Sequence, residues 1–108
     1  MSKTALVVDD SPTMRQMVAL TLTNAGFKVV EAEDGKDAIN KVAGALKMDI
    51  VVTDLNMPKM DGISLIKELR KMAAFKFTPI LMLTTESAAD KKQAGKEAGA
   101  TGWIVKPF

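Results

Sequence analysis

Five short runs of apolar residues recur along the chain and are separated by longer stretches of mixed character. The runs lie at positions 5–8, 27–30, 50–52, 80–83 and 103–105. Each run is too short for a helix and is rich in β-branched or aliphatic side chains, a combination typical of buried β-strands. The pattern therefore predicts five strands.

The stretches between these runs carry apolar residues three and four positions apart, which is the spacing of one helix face. They lie at positions 14–22, 38–46, 63–69 and, more weakly, 88–98. Residues that favour a helix start precede three of them: Ser11 before a proline, Asp61, and Ser87 in a Ser-Ala-Ala-Asp capping box. Four helices are predicted, and we expect Met14 and Met17 of the first helix to fill the core.

Strands that are apolar on both faces and alternate with helices form a parallel sheet that is covered on two sides. The sequence thus predicts one doubly wound α/β domain over residues 1–108. The chain stops three residues after the fifth run, and no fifth helix follows. We therefore expect either that the chain is truncated after the fifth strand, or that a dimer partner or an exchanged element covers the apolar area left there.

The composition excludes several kinds of chemistry. The 108 residues include no Cys, His or Tyr, which rules out disulfides, thiolate nucleophiles, an imidazole base and the usual nitrogen ligands of transition metals. The net charge of +2 is spread along the chain, so direct binding of nucleic acid is not expected. No apolar run approaches the ~18 residues of a membrane span, and the N-terminus is not a secretory signal. We place the protein in the cytoplasm, with no membrane partner.

Polar residues follow four of the five predicted strands. Asp9 and Asp10 follow the first, Asp54 the third, Thr84 the fourth and Lys106 the fifth. Taken singly, such residues are usually solvated turn or cap residues. In open parallel sheets, however, the binding site lies beyond the carboxyl ends of the strands, and three carboxylates brought together there repel one another unless a cation lies among them. A hard divalent ion with oxygen ligands fits, and Mg²⁺ is the best candidate.

These groups together suit phosphoryl transfer. A carboxylate can attack phosphorus to form an aspartyl phosphate. Mg²⁺ and a lysine ammonium neutralise the phosphoryl oxygens, and a hydroxyl donates a hydrogen bond to another of these oxygens.

Four segments carry a family resemblance, at positions 7–11, 52–62, 83–86 and 104–108. They resemble the receiver domain of two-component response regulators, in particular the single-domain receivers of chemotaxis. The resemblance implies a flavodoxin-like sheet with strand order 2-1-3-4-5.

The resemblance also implies which residues form the site. Asp54 would accept the phosphoryl group. Asp9 and Asp10 would hold Mg²⁺ together with Asp54, and the backbone carbonyl of Asn56 would complete the protein ligands.

Three further roles come from the resemblance alone. Thr84 would bind the phosphoryl group through its hydroxyl, and Lys106 through its ammonium, with a cis peptide between Lys106 and Pro107. Trp103 stands where the family usually has Tyr or Phe, the ring that turns inward when the threonine moves toward the phosphate. The alternative for Trp103 is a half-buried core tryptophan.

The function that follows is a phosphorylation-controlled switch rather than an enzyme, apart from self-catalysed transfer to Asp54 and autodephosphorylation. A sensor histidine kinase would donate the phosphoryl group, and a downstream protein, such as the flagellar motor switch, would receive the signal. In this family the fourth helix and fifth strand form the output surface, so Lys91, Lys92 and Lys96 either meet an acidic partner or form a solvated face. With its internal Gly95, that helix is expected to be the loosest element.

Two alternatives stay open. One is a Mg²⁺-dependent phosphohydrolase that uses an aspartyl phosphate; such enzymes place the nucleophile after the first strand and a second Asp two residues later, where this chain has Ser11. The other is a pseudo-receiver that only binds partners.

Overall fold

The computed structural model describes residues 3–42, 48–57, 59–85 and 89–105. Strands and helices alternate along the chain, as the apolar pattern predicts. In chain order the elements are β1 (Lys3–Val8), α1 (Pro12–Asn24), β2 (Phe27–Ala32), α2 (Gly35–Val42), β3 (Ile50–Thr53), α3 (Gly62–Lys71), a short 3-10 helix (Ala73–Phe75), β4 (Ile80–Thr84), α4 (Ala89–Ala98) and β5 (Gly102–Val105).

The strands form one sheet with the order β2-β1-β3-β4-β5, and every pairing is parallel. The predicted fold class and strand order are therefore confirmed. Val7 of β1 stands opposite Val52 of β3, and Val52 in turn stands opposite Leu81 of β4. This register brings the carboxyl ends of β1, β3 and β4 together at one edge of the sheet.

Local signals set the helix ends. The Ser11 hydroxyl accepts a hydrogen bond from the Met14 N–H at 3.4 Å, and the Asp61 carboxylate accepts one from the Ser64 N–H at 2.7 Å. Both predicted N-caps are confirmed, because each satisfies a backbone donor that the first helical turn leaves unpaired. The cap predicted at Ser87 lies outside the described residues.

The core has two layers, one on each face of the sheet. The larger layer packs the sheet against α2, α3 and α4, and its fully buried side chains include Leu6, Leu65, Ile66 and Phe75. The smaller layer packs the other face against α1. Its buried members are Val7, Val18, Val52 and Leu83.

An open apolar cavity of about 210 Å³ lies beside α1 on this second face. Its lining includes Leu22 of α1, Leu81 of β4 and Ile104 of β5, and Ile104 is 42% exposed. Within the described residues, α1 is the helix that packs on this side of the sheet.

All helices of the described residues are too short or too polar to span a membrane.

One core prediction was wrong. Met17 is 52% exposed, although Met14 packs against the smaller layer as expected. Residues four positions apart on α1, Met14, Val18 and Leu22, form the stripe that faces the sheet. Met17 lies to one side of that stripe. The spacing of apolar residues along the helix was therefore not enough to predict that Met17 is exposed.

Arg70, near the end of α3, links three segments of backbone. Its Nη1 donates to the carbonyls of Thr78 at 2.6 Å and Phe75 at 2.8 Å, and its Nη2 donates to the carbonyl of Gly99 at 2.7 Å. Gly99 follows α4 with a φ of +114°, a conformation that glycine adopts at helix ends. The guanidinium therefore ties α3 to the loop before β4 and to the turn after α4.

Candidate functional site

The first pair of acids stands at the end of β1. The Asp9 N–H donates to the Ala32 carbonyl at 3.1 Å, which continues the β1–β2 pairing by one residue. The Ser11 N–H donates to Asp9 Oδ1 at 2.9 Å, and Arg15 Nη1 donates to the Asp9 carbonyl oxygen at 2.8 Å. Asp9 is buried and held on both its backbone and its carboxylate, whereas Asp10 beside it is exposed.

The third acid stands at the end of β3. The Asp54 N–H donates to the Val8 carbonyl at 2.9 Å, which fixes Asp54 against the end of β1. The Leu55 N–H donates to Asp54 Oδ1 at 2.7 Å and orients the carboxylate. A Cβ at Gly62 would overlap the backbone carbonyl oxygen of Asp54, so the start of α3 approaches β3 at a distance that only glycine allows.

These contacts bring the three acids together. Asp9, Asp10 and Asp54 each offer a carboxylate oxygen, and the three oxygens lie within 4.8 Å of one another. All three donors are hard oxygen atoms, which suit Mg²⁺ better than they suit a metal that prefers nitrogen or sulfur ligands. The residues present therefore fit a divalent cation of the predicted kind.

The other predicted site residues are placed less completely. Thr84 is fully buried at the end of β4, on the same edge of the sheet as the acids. Asn56 is exposed, two residues after Asp54 in the loop that follows β3. Lys106 and its peptide bond to Pro107 lie outside the described residues.

Trp103 lies on β5, opposite Met82 of β4. Its side chain is half-buried and packs against the larger core layer. The ring contacts α4 at Gly95, where a Cβ would come within 2.6 Å of the indole Cζ3. Trp103 therefore connects β5 to α4.

Sequence reasoning missed two residues that position the site, Arg15 and Gly62. Glycine is a poor helix former, so a glycine at the first position of a predicted helix could have indicated that another backbone segment lies close to position 62. Arg15 acts on a backbone carbonyl of the neighbouring turn, and no periodic pattern marks such a contact.

Comparisons with known proteins agree with the fold and with the site. Residues 5–108 match the response regulator receiver domain family. The chain is 42% identical over 104 residues to chemotaxis protein CheY1 of Helicobacter pylori, covering 95% of this chain and 84% of that protein. It is 40% identical over 104 residues to the chemotaxis protein CheY homolog of Campylobacter jejuni, covering 95% of this chain and 80% of that protein.

A solved structure gives the same picture in three dimensions. The chemotaxis protein CheY4 of Vibrio cholerae superimposes with a TM-score of 0.94 at 50% sequence identity, covering 100% of this chain and 89% of that one. Fold and sequence thus agree over nearly the whole chain. The chain belongs to the response regulator receiver domain family.

Proposed function

We propose that this chain is a phosphorylation-activated switch of a two-component system in which Asp54 accepts a phosphoryl group from a phosphohistidine of a sensor kinase. The observation that best supports the proposal is the convergence of Asp9, Asp10 and Asp54 at the ends of β1 and β3. The relatives named as chemotaxis proteins support an output in chemotaxis. The flagellar motor switch is then the downstream target to test first.

Asp54 is the nucleophile in this proposal. One of its carboxylate oxygens forms a bond to phosphorus while the bond from phosphorus to the imidazole nitrogen breaks. The electron pair of the broken bond stays on the imidazole, which leaves as a neutral ring because its other nitrogen carries a proton. The hydrogen bond from the Leu55 N–H to Oδ1 holds the Asp54 carboxylate in one orientation before the reaction.

The remaining residues bind and neutralise the incoming group. Asp9 and Asp10, with Asp54 and the backbone carbonyl of Asn56, would hold Mg²⁺. When bound, the cation supplies positive charge against the phosphoryl oxygens. The Thr84 hydroxyl donates to one of these oxygens, and in this proposal the Lys106 ammonium binds another.

The phosphohydrolase alternative is less well supported by the residues present. The position at which those enzymes carry their second Asp is occupied by Ser11, whose hydroxyl accepts from the Met14 N–H as a helix cap. Serine has no carboxylate for acid or base catalysis at that position, and the Ser11 hydroxyl already serves as a helix cap.

Intact mass measured after incubation with acetyl phosphate and Mg²⁺ tests the proposal. We expect one phosphoryl group on the wild-type chain, none without Mg²⁺ and none on Asp54→Ala. Asp90→Asn is a matched control, because Asp90 is an exposed acid of α4 outside the cluster, and it should be modified like the wild type. An adduct that persists on Asp54→Ala would contradict the role of Asp54, and a chain that takes no phosphoryl group would favour the pseudo-receiver.

A further inference from the structure

Gly95 provides a gap in α4 that the Trp103 ring fills. A Cβ built on Gly95 would lie 2.6 Å from Cζ3, 3.1 Å from Cε3 and 3.8 Å from Cη2 of the indole. A carbon atom cannot approach another non-bonded carbon as closely as the first of these distances. The six-membered part of the indole thus occupies the space that any other residue at position 95 would need.

This contact explains a feature of α4 that is unfavourable by itself. Gly95 lies inside the helix, where glycine is a weaker helix former than alanine, and it is buried rather than exposed. Alanine would suit the helix better, but its methyl group would collide with the ring. Residues 95 and 103 are therefore matched in size, with the smallest residue facing the largest.

The same contact lies between the phosphoryl site and the α4 surface. Trp103 pairs with Met82 of β4, and Thr84 stands two residues further along that strand. On its other side the indole meets the backbone of α4 at Gly95. A movement of the ring therefore changes its contact with α4 directly.

We infer that Gly95 is a positioning residue for Trp103. Because position 95 carries no side chain, the indole can rest directly against the backbone of α4. One consequence rests on the proposed function: the size of residue 95 sets how strongly phosphorylation of Asp54 is coupled to the α4–β5 surface. The packing role of Gly95 stands on the geometry alone.

The structure also indicates where a displaced ring would go. A depression of about 270 Å³ lies between α4 and β5, and Trp103 lines one side of it. Lys92, Lys96 and Thr101 line the rest together with Ala100 and Gly102. A methyl group at position 95 would push the indole into this depression, toward solvent and toward two ammonium groups.

Fluorescence quenching of the single tryptophan tests the inference. In Gly95→Ala we expect emission shifted to longer wavelength, with quenching by iodide increased more than quenching by caesium, because the two lysines attract the anion. Gln93→Ala is the matched control, since Gln93 is exposed on the opposite side of α4 and should leave both properties at the wild-type values. Gly95→Ala with wild-type emission and quenching would overturn the inference.

A second pair of variants covers the case in which Gly95→Ala folds poorly. Trp103→Phe has a shorter ring that does not reach the position of Cζ3. We expect Gly95→Ala to lower the urea midpoint in the wild-type background and to raise it in the Trp103→Phe background, where only the better helix propensity of alanine is left. The same change of midpoint in both backgrounds would mean that the residues are not matched, and would overturn the inference.

The coupling is tested with beryllofluoride and Mg²⁺ as a phosphoryl mimic. We expect Gly95→Ala to lose most of the Trp103 emission change seen in the wild type, while intact mass shows equal phosphorylation by acetyl phosphate in both. An unaltered emission change would overturn the coupling. If the wild type takes no phosphoryl group, the proposed function and the coupling both fail, and the quenching result still decides the packing role of Gly95.

Discussion

Replacing Arg70 with methionine should lower the free energy of unfolding by about 3 kcal/mol, although Arg70 lies outside the candidate site. Its guanidinium makes three short hydrogen bonds, to the carbonyls of Thr78, Gly99 and Phe75, at 2.6, 2.7 and 2.8 Å. Each hydrogen bond from a charged donor contributes roughly 1.5–3 kcal/mol. Methionine keeps much of the aliphatic packing, so the change isolates the polar contacts.

Two effects reduce the simple sum of these bonds. Burial disfavours the charged guanidinium and lowers the pKa of Arg70 below its ordinary value, although the group stays protonated at neutral pH. Water can also reach some of the freed carbonyls, because Arg70 is only half-buried. We therefore expect about 3 kcal/mol rather than the full sum, which is still a large part of the ~5–15 kcal/mol that stabilises a domain of this size.

Urea unfolding followed by circular dichroism measures the effect. With an m-value of roughly 1.5 kcal/mol/M, the midpoint should fall by about 2 M without a change of slope. Lys71→Met is the matched control: the neighbouring lysine is exposed and makes one ion pair, to Glu68 at 3.3 Å, so its loss should cost under about 1 kcal/mol. An Arg70→Met midpoint equal to that of Lys71→Met would refute the argument.

Three further predictions follow from the site and its surroundings. Asp10→Ala should weaken Mg²⁺ binding more than Lys106→Ala does, because it removes a proposed ligand rather than a competing positive charge; equal affinities by titration would count against the metal role. Gly62→Ala should destabilise the fold by about 2 kcal/mol or more, since its methyl group would overlap a backbone carbonyl at the end of β3; urea unfolding measures this, and a wild-type midpoint would contradict the close approach. The hydrogen bond from the Glu33 N–H lowers the pKa of Asp37 below its ordinary 3.8, so Asp37→Asn should be less stable than the wild type at pH 7. That difference should disappear as the pH falls from 3.8 through the lowered pKa, and a constant difference between pH 6 and pH 3 would exclude this carboxylate as its source.

The parts of the fold that could be predicted from the sequence depend on local patterns. Strand positions followed from apolar runs, and the caps at Ser11 and Asp61 followed from residue types that bond to their own helix. The acids at positions 9, 10 and 54 could be expected to meet, because the carboxyl ends of parallel strands share one edge of the sheet. The strand order itself came from the family resemblance and not from the pattern.

The parts that could not be predicted depend on contacts between distant residues. The helical spacing of α1 did not show which of two adjacent stripes faces the sheet, so Met17 was wrongly predicted to lie in the core. Arg70 reaches a carbonyl 29 positions away, and Arg15 reaches the backbone of the turn before its own helix. Gly95 could be recognised as a weak point of α4, whereas its partner Trp103 became evident only from the packing of β5.

The pairing of β1 with β3 has a consequence for the order in which the protein folds. Ala5 pairs with Val29 on one side and with Ile50 on the other, so the second contact closes a loop almost twice as long as the first. Longer loops lose more chain entropy on closure, and non-local pairing slows folding. Because Asp54 reaches the β1 acids only after this second closure, the acid cluster should form late, and the rate at which the chain gains cation affinity should report docking of β3.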